Sequence, residues 1–400
     1  MTENWTGRTV ELTVGAVAHG GHCVARVDGR VVFVRHALPG ERVLAEVTED
    51  GGKSFCRADA VRVLAPSPDR VEPPCPVAGP GLCGGCDWQH ASGAAQRALK
   101  ASVVEEQLRR LAGLEWPVSV EELPGGLVRW RTRTRFVAGA DGHAGLRAHR
   151  SHRVVPLTDC PITTRGAVAA VLPLPWSPGD EIETTEDADG AVHVRRLPEG
   201  GGPGEQRRGG VARERAAGRD WRLGAHGFWQ VHPEAAATLA RVVGEWARAE
   251  PGTRAWDLYA GAGLFAAVLG EQVGARGTVL AVESARRAVA DGKANLAALR
   301  QVRWHCAPVE RVLRDRRDRP GVVVLDPPRK GAGRVVVERI AGAGPQRVVY
   351  VACDPAALAR DVATFAGLGY RLTRLRAFDA FPMTHHVECV ALFEPAASGH

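Results

Sequence analysis

No stretch of this 400-residue chain stays apolar long enough to span a bilayer, and the opening residues MTENWTGRTVELTV hold no apolar leader core. Membrane insertion and export are therefore not expected; a soluble, cytoplasmic protein is. Net charge is also small, +7 at pH 7, which permits a polyanionic partner without demanding one. Cysteine numbers nine, an odd count unevenly spread in a chain without an export leader, which argues for metal ligation over a disulfide scaffold. Two nucleotide signatures are missing as well. There is no phosphate-cradling P-loop, and a G-x-G at Gly261–Gly263 lacks its third glycine because Ala266 stands in that place. What is present is length enough for two or three domains with an ample core.

From Thr9 to Leu64 apolar and polar residues alternate in short runs (VELTVGAVA, RVVFVRHAL, ERVLAEVTED, FCRADAVRVL), parted by Gly or Asp-Gly. That pattern predicts a small β-barrel with tight turns, of a kind that often binds nucleic acid. A proline-rich joint, APSPDRVEPPCP, follows and reads as a linker. Next, Cys75, Cys83 and Cys86 lie within one Gly/Pro loop. Three thiolates need a fourth ligand to close a site, and Cys160 in LTDCPI is the best candidate. Four thiolates suit zinc and an iron–sulfur cluster alike, with Cys-Pro at Cys75 and Cys160 leaning towards the cluster.

Ala94–Gly113 carries apolar residues at helical spacing. Arg129, Arg131, Arg133 and Arg135 then fall on alternate positions, so on a strand they would share one face. Such a face needs a polyanion or carboxylates opposite, and with Arg147, His149, Arg150 and Arg153 it reads as a phosphate-contacting surface. Residues 181–220 are polar and Gly/Arg-rich and read as one hairpin with a flexible tip.

After Leu223 strands and helices alternate. Helices are expected at Pro233–Glu250, Ala285–Arg300, Arg334–Ala341 and Ala356–Ala366, with another opening near Leu264. Strands are expected at Arg254–Tyr259, Gly277–Val282, Val302–Cys306, Val322–Leu325 and Arg347–Val351, followed by an antiparallel pair, Tyr370–Ala377 with His386–Phe393. Repeated βα units predict an α/β, doubly wound, Rossmann-like sheet. The expected domains are thus 1–66, a barrel; 67–222, a small α+β domain with the four cysteines; and 223–400, the α/β domain.

The G-x-G loop follows a strand and opens a helix, and Glu283 ends the next strand about twenty residues on, placed to accept both hydroxyls of a ribose. A ribose-bearing nucleotide without a pyrophosphate fits best. S-adenosylmethionine meets that description, and NAD is the runner-up. Val322–Leu325 stops at Asp326-Pro-Pro-Arg329, and VVYVA stops at Cys353-Asp-Pro. A thiol at a helix N-terminus is expected to have its thiolate stabilised by free amides and the helix dipole.

These residues together resemble the RNA uracil-5-methyltransferase family, in the form that carries an N-terminal TRAM domain and an iron–sulfur cluster. The resemblance spans nearly the whole chain: the barrel at Thr9–Leu64; Cys75, Cys83, Cys86 and Cys160; Gly227-Phe-Trp-Gln230-Val; Asp257-Leu-Tyr259-Ala-Gly261; Glu283; Leu325-Asp326-Pro-Pro-Arg329; Tyr350-Val-Ala-Cys353-Asp-Pro; and His386-Val-Glu388. It implies a [4Fe-4S] cluster on the four cysteines, with zinc as the lesser alternative. It also implies S-adenosylmethionine held by Gln230, Tyr259, Gly261, Glu283 and Asp326, a Cys353 nucleophile and a Glu388 base. Leu264 and Pro308 depart from the pattern, each replacing a polar residue. Proline offers no donor, so adenine recognition must fall to packing or to neighbours.

The implied reaction methylates C5 of a uridine in structured RNA, 23S rRNA favoured and tRNA the alternative, through a thiolate adduct at C6. Burial in an apolar strand should raise the pKa of Glu388 towards that of a useful base. A monomer is expected. Competing readings are a cytosine-5 RNA methyltransferase, disfavoured by Ala352 before the cysteine, and a non-catalytic RNA-binding or ribosome-assembly factor, disfavoured by retention of Cys353 and Glu388.

Overall fold

The structure is a computed structural model that describes residues 4–52 and 54–396; the outermost ends of the first and last expected domains, 1–3 and 397–400, lie outside the described residues. Alternation at the N-terminus produces β1 (Thr9–Thr13), β2 (Cys23–Val27), β3 (Arg30–Arg35), β4 (Arg42–Glu49) and β5 (Phe55–Ala65), in sheet order β1-β4-β5-β3-β2. Val10, Leu12, Val43, Ala45 and Val47 point inward, as a period of two requires. Beyond β1 the Gly15 N–H donates to Val24 O (2.7 Å) and the Val24 N–H to Ala16 O (2.9 Å), so the sheet curls onto itself. The next residues, Ala18 to His22, leave the barrel and reach the α/β body.

Helix α1 (Gly93–Ala112) begins at Ser92, whose hydroxyl accepts from Ala95 N, and ends at a left-handed Gly113. Val104 and Leu108 bury themselves in the core of the α/β body, against α8 described below. The short strand β6 (Val120–Glu122) goes further and joins the α/β sheet. Ala95, Leu99 and Val103 on the same helix join the barrel core, so residues 93–122 pack with both the barrel and the C-terminal body, although the sequence assigns them to the central domain.

The central sheet has six strands: β7 (Arg133–Ala138), β8 (Ala144–Arg147), β9 (Val154–Pro156), β10 (Glu181–Glu186), β11 (Val192–Leu197) and β12 (Glu205–Arg208), with α2 (Arg165–Val171) inserted. A separate hairpin, β13 (Val211–Ala216) and β14 (Arg219–Gly224), follows. This corrects the single hairpin expected over 181–220. Strand β12 has no inward residue and the others only a few, Val192 and Val194 or Ala212, Ala216, Trp221 and Leu223, too few to stand out against the charge around them.

The α/β body contains α3 (Ala235–Ala247), β15 (Arg254–Leu258), α4 (Leu264–Val273), β16 (Thr278–Glu283), α5 (Arg286–Asn295), β17 (Val302–Cys306), α6 (Val309–Arg314), β18 (Val322–Leu325), α7 (Arg334–Ala343), β19 (Arg347–Ala352), α8 (Pro355–Gly367), β20 (Tyr370–Asp379) and β21 (Glu388–Pro395). Sheet order is β17-β16-β15-β18-β19-β21-β20-β6, with β21 antiparallel to both neighbours. The doubly wound sheet and its late antiparallel pair are as expected; β6 and α6 are additions. Strand β18 is buried along its whole length because helices cover both faces of the sheet. The order in which strands are added to the sheet reverses between the parallel neighbours β15 and β18, which leaves a crevice at the carboxyl ends of the strands.

Candidate active site

That crevice is a cleft of about 1000 Å³. Tyr259, Gly261 and Glu283 line one half, and Asp326, Cys353 and Glu388 the other, with Gln230 on the wall contributed by the segment before α3. All seven candidate residues therefore reach one space.

In the first half β15 stops at Leu258 and the chain turns sharply. Tyr259 sits at φ 64, a left-handed conformation that costs an L-residue energy and is tolerated where surrounding structure imposes it. Gly263 has φ 94, and a Cβ there would lie 2.9 Å from Leu296 and 3.0 Å from Trp304, so only glycine lets α4 start. Glu283 spans the cleft edge: one oxygen accepts from Gly261 N (3.0 Å), the other from Ala285 N (2.7 Å). The adjoining wall is apolar, formed by Ala285, Ala288, Pro308 and Val309.

In the second half Asp354 caps α8, its Oδ1 accepting from Ala357 N at 2.8 Å, and Pro355 follows at the first helical position, as the sequence predicts. The thiol itself is a correction. Burial, then Glu388 and Asp326, push Cys353 up to about 12, against a smaller downward pull from Arg329. The ease of ionisation expected of a thiol at a helix N-terminus is opposed here by burial and by two neighbouring carboxyl groups. Glu388 is raised well above the ordinary glutamate range, by burial and then by Asp326, in the expected direction. Burial lifts Asp326 to about 7. The two carboxyl groups thus titrate together as a pair, beside the buried thiol.

Arg329 donates to His386 Nε2 at 3.2 Å. Burial, then His385 and Arg329, press His386 down to about 3, so its ring is a neutral acceptor. This bond steadies the turn that delivers Glu388 to the start of β21.

Cys75, Cys83, Cys86 and Cys160 line one small separate cavity, and none forms a disulfide. Burial raises the thiols of Cys75, Cys83 and Cys86. Among the described residues no three His, Cys, Asp or Glu side chains converge as they would on a single metal ion.

Residues 5–61 match the TRAM domain model, and residues 316–395 match the model for tRNA (uracil-5-)-methyltransferase. An uncharacterized RNA methyltransferase of Streptomyces avermitilis is 50% identical over 98% of this chain and 100% of its own length. A second, from Streptomyces coelicolor, is also 50% identical, over 98% of this chain and 94% of its own. The chain belongs to the TRAM-bearing RNA uracil-5-methyltransferase family. The fold agrees. The tRNA (uracil-54, C5)-methyltransferase of Pyrococcus abyssi, solved with S-adenosyl-L-homocysteine, superposes with a TM-score of 0.73 at 23% identity, covering 96% of this chain and 100% of that one.

The methyltransferase cleft also has a residue that sequence reasoning left without a role. Phe228 is 72% exposed at the cleft wall, whereas Trp229 is buried and tilts against Trp221, ring centroids 5.4 Å apart. Trp229 anchors the segment and Phe228 is left facing water and the cleft. The arginine face needs correction. Arg129 pairs with Asp159 (2.6 Å), Arg133 with Glu214 (2.6 Å) and Arg135 with Glu181 and Glu183, while Arg131 is pulled into the cleft wall. Only Arg133 and Arg135 lie on β7, and carboxylates from β10 and β13 lie opposite them. Four alternating charges could not reveal partners that lie 30 to 81 residues further along the chain.

Among the described residues no helix is long and apolar enough to cross a membrane.

Proposed function

We propose that this methyltransferase transfers a methyl group to C5 of a uridine in a structured RNA, through a covalent bond between Cys353 and uracil C6. The observation that carries this reading is the meeting of Cys353, Glu388 and Asp326 in one cleft with the glycine loop and Glu283. S-adenosylmethionine, when bound, supplies an electrophilic methyl on a positively charged sulfur. The residues fit it: Glu283 is oriented to receive ribose hydroxyls, and the apolar wall at Ala288, Pro308 and Val309 suits an adenine face. Gln230 and Asp326 flank the remaining space.

Cys353 would add to C6, and the ring electrons released would make C5 nucleophilic. A positive sulfonium in the cleft favours the ionised form of Glu388, which after methylation would take the C5 proton, and expulsion of the Cys353 sulfur would restore the aromatic ring. A thiol held at about 12 in the free protein needs help to ionise. With a sulfonium charge in the same cleft, Cys353 would release its proton to solvent more readily. The uridine must leave its stack to reach this depth, which favours a loop of 23S rRNA or tRNA, and Phe228 offers a ring on which a displaced base can stack.

Four thiols border the small cavity, a donor set that suits a [4Fe-4S] cluster or zinc, and the cluster is the reading that the family resemblance favours. Its role here would be structural: it would join the Cys75–Cys86 loop to the Cys160 turn. Iron content and visible absorption of anaerobically purified protein, lost in Cys83→Ala, test this.

RNA bearing 5-fluorouridine tests the central reading, since fluorine at C5 blocks the last step. A stable protein–RNA adduct should form with wild-type protein and methyl donor, and not with Cys353→Ala. No adduct with wild-type protein would overturn the assignment.

A further inference from the structure

The TRAM barrel touches the reactive end of the cleft through one loop. Ala18 to His22 leaves the barrel between β1 and β2 and settles at a three-way junction. There His19 Nε2 lies 3.0 Å from Asp354 Oδ2, on the residue that follows the nucleophile and caps α8. Two residues on, the Gly21 carbonyl accepts from Trp88 Nε1 at 3.0 Å. Gly21 has φ 83, and a Cβ there would lie 2.8 Å from the Cβ of His385 and 3.4 Å from that of Asp87. Asp87 in turn accepts from both the backbone N–H (3.0 Å) and Nδ1 (2.7 Å) of His385, on the turn that leads to Glu388. The glycine is therefore needed for close approach as well as for its backbone angle.

We infer that His19 is a positioning residue for methyl transfer: the TRAM loop helps set the active site, and His19 fixes the carboxylate beside Cys353. The inference rests on Cys353 being the nucleophile. Asp354 has two jobs for its two oxygens. Oδ1 caps the helix through Ala357 N, and Oδ2 meets the imidazole. An imidazole N–H donated to Oδ2 fixes the carboxylate rotamer and draws its negative charge away from the sulfur. Without that donor the Asp354 charge bears on Cys353 unrelieved, and a nearby negative charge opposes thiolate formation. A barrel that served only to hold RNA would not need a side chain on this aspartate.

The test uses the full chain with His19→Ala and His19→Gln, the glutamine keeping an N–H donor at similar reach. Iodoacetamide labelling of Cys353 in RNA-free protein, followed by peptide mass spectrometry, reads thiolate availability without requiring methyl transfer. Thermal melting checks that both variants fold. The expected result is several-fold slower labelling in His19→Ala, recovery in His19→Gln, and single-turnover methylation falling in the same ratio. Labelling of His19→Ala at the wild-type rate overturns the inference, even if RNA affinity drops, because His19 would then be an RNA contact. Slower labelling that glutamine does not restore overturns it too. If methylation of uridine itself failed while the labelling pattern held, the fault would lie in the proposed function and not in this contact.

Discussion

Glu283 and Gly261 face each other across the mouth of the cleft, the glycine N–H donating to the carboxylate at 3.0 Å. The carboxylate is thus oriented before any ligand arrives, with Ala285 N holding its second oxygen at 2.7 Å. Replacing Glu283 with Ala should weaken S-adenosylmethionine binding by roughly tenfold or more, the scale of one or two charge-assisted hydrogen bonds. Glu283→Gln should lose less. Isothermal titration calorimetry reads both; unchanged affinity in the alanine variant would remove Glu283 from the site.

Cys353 should be sluggish towards iodoacetamide at neutral pH, since burial, Glu388 and Asp326 push its thiol up to about 12. S-adenosylmethionine should speed labelling, whereas neutral S-adenosylhomocysteine should not. Equal rates with both ligands would show that the sulfonium charge is not what ionises the thiol.

The coupled carboxyl groups give a stability signature of definite sign. Asp326 binds its proton up to about 7 in the folded state, against an ordinary value of 3.8. Between those two values the folded chain holds a proton that the unfolded chain has lost. Stability contributed by this group is therefore full below the lower value, falls as pH rises, and is gone above about 7. Asp326→Asn should melt higher than wild type at pH 8, with the gap closing towards pH 4.5. Thermal melts across that range decide it; a gap that widens on acidification would mean the carboxyl is not destabilised by burial.

Lys100 reaches from α1 to Asp379 at the end of β20, at 2.5 Å, with side chains 0% and 1% exposed, and also donates to Phe381 O at 3.0 Å. Removing one member of such a pair strands the other charge in the interior, at a cost of about 3–5 kcal/mol. Lys100→Met should show this loss in urea unfolding, and Lys100→Met with Asp379→Leu should recover part of it. A loss below about 1 kcal/mol would place the pair among solvent-screened bridges.

Legibility varied with how local the cause was. Strand β18 has the limits its apolar run suggests, Val322–Leu325, because a strand covered on both faces writes its burial into consecutive residues. The Asp354 cap and Pro355 were legible because helix starts are settled within a few residues. Strand β6 was not, since its three residues pair with β20 about 257 positions later, and nothing in Val120–Glu122 announces that partner. The β12 edge strand is exposed at every position, so no alternation marks it.

The order of motifs along the chain was enough to bring out the α/β fold, the N-terminal barrel and the residues that meet in the cleft. The fold, the barrel and the reactive strand ends are encoded in short-range pattern, period-two runs and a glycine turn between strand and helix, whereas Gln230, Tyr259 and Asp326 were singled out by the family resemblance. The protonation of Cys353, the carboxylate partners of Arg133 and Arg135, and the seat of His19 on Asp354 came only from the tertiary structure. Charge and desolvation depend on distances through space, and chain segments hundreds of residues apart set those distances.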